Sequence, residues 1–509
     1  MRRNDLLDSG LLIGVVGAGA MGSGISQVAA AAGRKVLIYD QREGAVEAAR
    51  DGILARMDKR VREGRLPAAE REAMASRLCP VATLEELAPC GLVVEAIVEE
   101  LDAKRGLFAG LEGIVSADTV LASNTSSIPI GAIAAGLNRP DRVAGLHFFN
   151  PVPLMKLVEV IPAPDTAAEV IEGLMALSRV MEREPVRARD TPGFLVNFGG
   201  RPFVTEGLTI AQEGVASPAQ IDAVMRDCWG FRMGPFELMD LTGMDVNLPV
   251  TEFIHHATFS DPRMRSTYLH RYKVATGQLG RKTGRGHYDY HDGAERPSPD
   301  AETRRSAAPA VAIAEPSDAL LALLKEMGIE VLETDDGAVP LLAAPIGEDC
   351  STLCSRIGAD HRRLIGVDVT GDTTQRVTLM VPPGGDPAIR ESVVARFNVA
   401  RNVTLVGDSP GFIGQRICAM VANLGCEMAQ LELANPGAID AAMRLGLNYP
   451  RGPLELADAI GVERLHEIMR RIQEQTGDDR YRPSQWLRRR AQLGLSARAP
   501  AFPDLEDDA

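Results

Sequence analysis

The stretch "LLIGVVGAGAMGSGI", residues 11–25, decides how the chain begins to fold. Residues 11–16 are a short apolar run rich in β-branched side chains, as in a buried parallel strand. Gly17, Gly19 and Gly22 follow in a GxGxxG pattern with Ala20 and Met21 between them, and an alanine-rich helical stretch comes next. Gly17 permits a tight turn, Gly19 lets the backbone approach a pyrophosphate, and Gly22 lets helix pack on strand, so that the helix N-terminus faces the phosphates. A second strand is predicted over 35–39, and Asp40 at its end stands where a carboxylate bonds a ribose 2′-hydroxyl and favours NAD. Arg42 could meet a 2′-phosphate and keeps NADP open. A glycine-rich turn without a ligand is the alternative; the strand before it, the helix after it and the acid in place argue against that.

The 509 residues allow several domains, and 45% hydrophobic with 24% charged residues is the balance of a soluble globular protein. A formal net charge of −14 speaks against nucleic acid as the main partner, and an anionic substrate then needs a local basic or dipolar site. Seven scattered cysteines read as reduced thiols in a cytoplasmic protein. Cys350 and Cys354 lie near each other without further ligands, so no metal site is expected. Arg2 and Arg3 precede a short apolar stretch broken by Asn4, Asp5 and Asp8, which does not make a signal peptide. No segment reaches the roughly 18 apolar residues of a membrane span.

Other polar clusters fall at predicted strand ends. "VVEAIVEELDAKRGLF" closes a strand near Val94 and then carries Glu95, Glu99 and Lys104. Taken alone, Glu99 and Lys104 read equally well as surface charges at a helix start. "VLASNTSSIPI" puts Ser123, Asn124, Thr125, Ser126 and Ser127 after a short strand. Such clusters often only mark turns, yet in an open α/β sheet the carboxyl ends of the strands line the ligand crevice. His147 ends the strand "RVAGLHFFN", and Glu159 follows twelve residues later among Leu157, Val158 and Val160. A carboxylate there costs free energy unless it is paired. It reads either as a structural ion pair or surface position, or as the partner that orients a histidine base. His255, His256 and His287 lie in polar, loop-like surroundings.

The runs "GAGAMGSGI", "VVEAIVEELDAK", "ASNTSS", "GLHFFNPVPLMKLVEV" and "DTPGFLVN" together resemble the L-3-hydroxyacyl-CoA dehydrogenase family in motif, order and spacing, over residues 11 to about 290. The resemblance implies NAD as cofactor and an acyl-CoA substrate. His147 is then the general base on the 3-hydroxyl and Glu159 its partner, with Ser126 and Asn197 as polar contacts to the reacting oxygen. Asn150 shapes the same pocket, Glu99 and Lys104 lie near the cofactor or the thioester, and Asn124 belongs to the cofactor-side motif. After about Arg183 the pattern becomes helical, which in the family is the domain that closes the active site and forms the dimer. "GRKTGRGHYDY", with Arg281, Lys282 and Arg285, reads either as a solvated tail or as a contact for CoA phosphates.

The second half of the chain repeats the first. "DSPGFIGQ" from Asp408 echoes "DTPGFLVN" from Asp190, "IDAAMR" echoes "IDAVMR", and "GPLELADAIG" echoes "GPFELMDLTG", at one constant offset. More faintly, "PAVAIAEPSDALLALLKEMGIEVLETDDG" reads strand–helix–strand with "AEPSDA" where a glycine loop would be. In that echo Asp368 stands at the histidine's place, Leu379 or Met380 near the glutamate's, and Gln415 for Asn197.

The expected fold is therefore α/β plus all-α. A Rossmann NAD-binding domain spans 1–188, a helical substrate and dimerisation domain 189–291 and a linker 292–310. A degenerate, shortened Rossmann-like segment spans 311–406, and a second helical copy 407–509. This implies one active site per chain, with either a homodimer or intramolecular pairing of the helical copies, and no nucleic-acid or membrane partner.

This long form, ending in "DDRYRPSQWLRRRAQLG", resembles bacterial members of the family that act on 3-hydroxyadipyl-CoA in phenylacetate catabolism, and long 3-hydroxybutyryl-CoA dehydrogenases of fatty acid β-oxidation chemistry. A dicarboxylic acyl chain would want a cation at the far end of its pocket; Arg201 and Arg232 are candidates, both expected at the surface. The alternatives are a dehydrogenase of a small free hydroxy acid or sugar acid on the same scaffold, and a non-catalytic NAD-binding protein. The basic "GRKTGRG" segment speaks against the first, and the intact set His147, Glu159, Ser126 and Asn197 against the second.

Overall fold

The computed structural model describes residues 6–501. The N-terminal reading on Arg2, Arg3, Asn4 and Asp5 lies outside the described residues, as does the last part of the 407–509 segment. Two compact units form. The first takes in the described chain up to Phe198 together with Glu432–Leu447, and the second Gly199–Leu431 with Asn448–Ala501. Compactness thus groups the chain differently from chain order.

The first unit is built on β1 (Leu12–Val16), β2 (Lys35–Tyr39), β3 (Leu78–Pro80), β4 (Leu92–Glu95), β5 (Val120–Ser123), β6 (Val143–Phe148), β7 (Leu157–Pro162) and β8 (Glu184–Arg187). Their order is β3-β2-β1-β4-β5-β6-β7-β8, parallel throughout except that β7 runs antiparallel to β6. Runs such as Ile13, Val15, Val36, Ile38, Leu92 and Val94 are buried because helices cover both faces, which is why these strands read as continuous apolar stretches. The chain order reverses between β1 and β4, and there the crevice beyond the strand ends opens to a ligand. β8 corrects the reading that the helical pattern starts after about Arg183: "EPVR" is a strand paired with β7, too short and too proline-marked to register as one. Helix Pro436–Leu447, from the second helical copy in sequence, packs against β7 and β8 of this unit.

The second unit carries β9 (Ala310–Ile313), β10 (Glu330–Val331), β11 (Leu341–Ala343), β12 (Leu364–Val367), β13 (Arg376–Val381) and β14 (Asn402–Gly407). Their order is β10-β9-β11-β12-β13-β14, with β12–β13 the antiparallel pair. This is the first sheet shortened, with its one reversal in the corresponding place. Val311, Leu324, Ile365, Val377 and Phe397 form its core. Helices of the two copies pack on each other here, Arg201–Gln212 against Ile413–Gln430. Between them Arg416 donates to Glu206 (2.8 Å), Glu213 (2.6 Å) and the Tyr481 hydroxyl (2.8 Å). Burying that guanidinium is tolerable only because carboxylates face it. The aperiodic 292–310 stretch is tied down by Asp300, which accepts from Arg376 at 2.6 Å.

Candidate active site

Three glycines shape the first β–α turn. Gly17 has φ +104°, and a Cβ there would strike the Ala96 carbonyl; a Cβ at Gly22 would strike the Gly17 carbonyl oxygen. Gly19 differs: it and Ala20 are exposed, Met21 is half-buried, and nothing lies within 4 Å of where a Gly19 Cβ would stand. The helix Ala20–Ala31 has no side-chain cap at its N-terminus. Packing gives no reason for glycine at 19. Open space over uncapped N–H groups is what a pyrophosphate requires, so the loop fits NAD. Asp40 accepts from the Ala18 N–H (2.7 Å) and from both Nε and Nη2 of Arg42 (3.1 and 3.0 Å). The Arg42 hydrogen bond is the main cause that lowers its carboxyl to about 2. An ionised acid at the ribose position repels a 2′-phosphate, and Arg42 is folded onto that acid, which favours NAD over NADP.

At the ends of β4 and β5 lies a polar network, buried at Glu95, Lys104, Ser123 and Thr125 and open to solvent at Glu99. Lys104 Nζ meets Glu95 at 2.6 Å and Glu99 at 3.2 Å, and its side chain is 1% exposed. Ser123 donates to the second oxygen of Glu95 at 2.6 Å. Glu99 Oε1 collects the Thr125 hydroxyl (2.7 Å), the Ser126 N–H and hydroxyl (2.8 and 3.2 Å) and the Ser127 N–H and hydroxyl (3.1 and 3.0 Å). Burial pushes the Glu99 carboxyl up, but Lys104 and the Thr125 hydroxyl outweigh it, and the group stays below its ordinary range. Lys104 is therefore no surface charge; it lies under Glu99, and Glu99 clasps the "NTSS" turn. Glu95 and Ser123 were not singled out as site residues, although a carboxylate ending an apolar strand is the same signal that marks Glu159. Asn124 is buried and accepts the Phe148 N–H at 2.8 Å, joining this turn to the end of β6; Asn150 is exposed.

The spacing of His147 and Glu159 is explained by the β6–β7 ladder, whose antiparallel register sets them directly opposite. His147 Nδ1 lies 2.6 Å from Glu159 Oε2. The other oxygen, Oε1, accepts the N–H groups of Leu195 (3.0 Å) and Val196 (2.9 Å). The histidine is 5% and the glutamate 0% exposed. The "DTPGF" motif supplies those two donors. Asp190 accepts from the Ile130 and Gly131 N–H groups (2.9 and 2.8 Å), and the chain then turns through Gly193 and Phe194, both at positive φ. Burial pushes the Asp190 carboxyl up. Asn197, on the same turn, donates to the Ser126 carbonyl at 3.3 Å. The four residues singled out for catalysis are thus connected through one network. Leu195 and Val196 were missed because a backbone donor leaves no trace in residue type.

The second unit repeats this scaffold with the chemistry removed. Asp408 accepts from the Cys350 and Ser351 N–H groups (2.7 and 3.1 Å), as Asp190 does from Ile130 and Gly131. Asp368 takes the histidine's place. The glutamate's place is Thr378, not Leu379 or Met380: Val367 pairs with Leu379, so the next residue, Asp368, faces Thr378. Gln415 donates to Asp368 (3.2 Å) and to the Pro345 carbonyl (3.1 Å) and accepts from the Gly347 N–H (2.8 Å).

Further expectations change. His255 and His256 lie in the last turn of helix Met244–Ala257, not in a loop. His287 packs edge-on against Phe236, and burial pushes its imidazole down to about 3. Arg281, Lys282 and Arg285 are exposed on a turn whose neighbours His287 and Tyr288 donate their N–H groups to Asp240 at 2.9 Å. Arg232 is exposed as expected, but Arg201 is buried and donates to Thr251 at 2.9 Å. Burial lowers Arg201 to about 10. The seven cysteines are free thiols, and no group of His, Cys, Asp and Glu among the described residues is arranged for a metal. No helix among the described residues is long and apolar enough to cross a membrane.

A doubly wound sheet with a glycine turn open to a pyrophosphate and an acid after its second strand defines a dinucleotide-binding protein of the NAD type. Comparison with known proteins narrows the class. Residues 12–191 match the family model "3-hydroxyacyl-CoA dehydrogenase, NAD binding domain", and residues 193–290 and 411–501 both match its "C-terminal domain". The chain is 40% identical to the 3-hydroxyadipyl-CoA dehydrogenase of Escherichia coli K12, covering 94% of this chain and 97% of that one. It is 42% identical to a probable 3-hydroxybutyryl-CoA dehydrogenase of Bacillus subtilis over 55% of this chain and 96% of the relative. Among solved structures, a 3-hydroxybutyryl-CoA dehydrogenase from Escherichia coli K12 superposes with a TM-score of 0.83 at 37% identity, covering 95% of this chain and 98% of that one. The chain belongs to the 3-hydroxyacyl-CoA dehydrogenase family and is an NAD-dependent enzyme of that class.

Proposed function

We propose that the protein oxidises an L-3-hydroxyacyl-CoA, 3-hydroxyadipyl-CoA or 3-hydroxybutyryl-CoA, to the 3-ketoacyl-CoA with His147 as general base. The observation that carries this is the in-register His147–Glu159 pair, with Glu159 fixed by two backbone N–H groups. Nδ1–H is given to Glu159, which leaves the lone pair of Nε2 to take the proton of the 3-hydroxyl. Glu159 holds the tautomer and stabilises the imidazolium that forms, without itself taking the proton. Ser126, whose hydroxyl bonds Glu99, and Asn197 are the polar groups for the reacting oxygen. Gly17, Gly19, Ala20, Met21, Gly22 and Asp40 would hold NAD, with Glu99, Lys104, Asn124 and Asn150 around it. When bound, NAD accepts the hydride leaving C3.

Identity along nearly the whole chain with a 3-hydroxyadipyl-CoA dehydrogenase supports the adipyl substrate, and with it a place in phenylacetate catabolism, while an equally long match to a solved 3-hydroxybutyryl-CoA dehydrogenase supports the butyryl one. The butyryl substrate would instead place it in β-oxidation chemistry. We favour pairing of the helical copies within one chain over a homodimer, given the Arg416–Glu206 network between them, and a cytoplasmic setting, given the free thiols.

An NADH-absorbance assay tests the reading. We expect turnover of both CoA thioesters with preference for 3-hydroxyadipyl-CoA and none of free 3-hydroxybutyrate. Turnover of the free acid would overturn the acyl-CoA assignment.

A further inference from the structure

We infer that Gly446, on the helix Pro436–Leu447 from the second helical copy, is a positioning residue for the His147–Glu159 pair. The half without catalytic groups would thereby supply one wall behind the working site. The inference rests on reading that pair as the catalytic dyad.

Glu159 is held by the Leu195 and Val196 N–H groups on one side and faces His147 on the other. Val196 is 2% exposed, and Leu157, two residues before Glu159 on β7, is 0% exposed. Residues two apart on a strand share a face, so Leu157 and Glu159 point the same way. Helix Pro436–Leu447 meets both anchors at one point. A Cβ added at Gly446 would stand 2.8 Å from Val196 Cγ2 and 3.0 Å from Leu157 Cδ2. Just before the helix, the Leu433 carbonyl accepts the Arg189 N–H at 2.8 Å, prolonging β8 into the same segment. Val196 is β-branched and stiff at χ1 inside a helical turn. It cannot swing away from an added methyl group, so displacement passes to its backbone, whose N–H holds the carboxylate.

The second unit shows that this fit is particular to one helix. There the first copy's helix Pro218–Asp227 packs on β13, and the Gly407 N–H donates to the Val215 carbonyl at 3.0 Å, the counterpart of Arg189 and Leu433. Shapes are exchanged, however. At the offset that carries Asp190 to Asp408, Val196 becomes Gly414, and a Cβ there would collide with the indole of Trp229. Trp229 adjoins Cys228, which stands where Gly446 does in the other copy. Bulge and hole are thus Val196 over Gly446 in one unit and Trp229 over Gly414 in the other. The segment bearing Trp229, which follows helix Pro218–Asp227, would meet Val196 rather than a glycine beside the catalytic sheet, so the second copy's helix is the one that fits there.

The test compares full-length Gly446→Val, the milder Gly446→Ala, the double variant Val196→Ala with Gly446→Val, and His147→Gln as control. Measured together are kcat, the acid limb of the pH–rate profile, and NADH affinity by fluorescence. In Gly446→Val we expect kcat to fall by about 10²-fold, the scale for a misplaced catalytic group. The acid limb should move, NADH affinity should stay near wild type, and the Val196→Ala double variant should recover most of the rate. Wild-type kcat and profile in a folded Gly446→Val protein would overturn the inference. So would a rate loss matched by lost NADH affinity and not recovered by Val196→Ala. If Gly446→Val does not fold, Gly446→Ala is judged by the same criteria with a smaller effect. Wild-type turnover in His147→Gln would remove the dyad reading and this inference with it. An inactive His147→Gln beside a normal Gly446→Val would remove the inference alone.

Discussion

Glu159 carries more than its pairing with His147. Its two oxygens are divided between an imidazole and two peptide N–H groups, and all of these are buried. Removing His147 takes the donor from one carboxylate oxygen, and removing the carboxylate leaves the imidazole and two peptide N–H groups without an acceptor; each buried group so orphaned costs roughly 1–3 kcal/mol. His147→Gln should lower kcat by roughly 10²–10⁴-fold, the range for a general base, with little change in NADH affinity. Glu159→Gln should lower both kcat and melting temperature, because it disturbs the ring and the turn together. Steady-state rates and melting curves on both variants check this; wild-type turnover in His147→Gln would take the histidine out of the mechanism. His147 and Glu159 were legible in the sequence because each is a polar group at odds with its apolar run. Lys104 was not. On a helix start it looks like any solvated cation, and only the placement of Glu95 and Glu99 around it accounts for its burial.

Elements show what such burial does to stability. Asp222 lies in helix Pro218–Asp227 and accepts from the Tyr288 hydroxyl (2.6 Å) and the Phe236 N–H (2.9 Å). Burial is the main cause that raises its carboxyl to about 7, against the lowering effect of the Tyr288 hydrogen bond. The folded protein therefore holds a proton there that the unfolded chain releases near its ordinary value of roughly 4. Stability from this group is fully present below about pH 4 and is lost as pH rises through about 7. Between pH 4 and 7 wild type should lose a few kcal/mol relative to Asp222→Asn, read from urea unfolding at several pH values. Parallel stability curves would show that Asp222 is ionised throughout. At this scale the sequence was informative wherever an element is long and periodic. It was silent on β8, where four residues including Pro185 form a strand only because β7 offers a free edge.

For the molecule as a whole, the two sheets share an order but not a chemistry. At the end of β9, where the glycine loop would stand, Ser317 caps the helix Asp318–Glu326, and Glu315 is paired with Arg356 at 2.7 Å. A capped N-terminus beside a carboxylate repels a pyrophosphate instead of receiving it. One NAD per chain is therefore expected in a calorimetric titration, and two would overturn the reading of residues 311–406 as degenerate. The family models meet the same asymmetry: the NAD-binding model matches once, over 12–191, whereas the C-terminal model matches in two places.

The sequence by itself determined what is local or repeated. Strand, glycine turn and helix are set by neighbours along the chain, and the duplication by a constant offset between motifs. His147 and Glu159 stood out because their residue types break the apolar runs around them, whereas Ser126 and Asn197 were expected only from the family resemblance. Tertiary structure alone decided the partners. The β6–β7 register set His147 against Glu159 and moved the degenerate counterpart from Leu379 or Met380 to Thr378. Packing buried Arg201, and the fit of Gly446 against Val196 placed a helix of the second copy on the first sheet. The reason is physical. Local propensity depends on a few adjacent residues, whereas register, burial and shape complementarity depend on surfaces that meet only once the chain has folded.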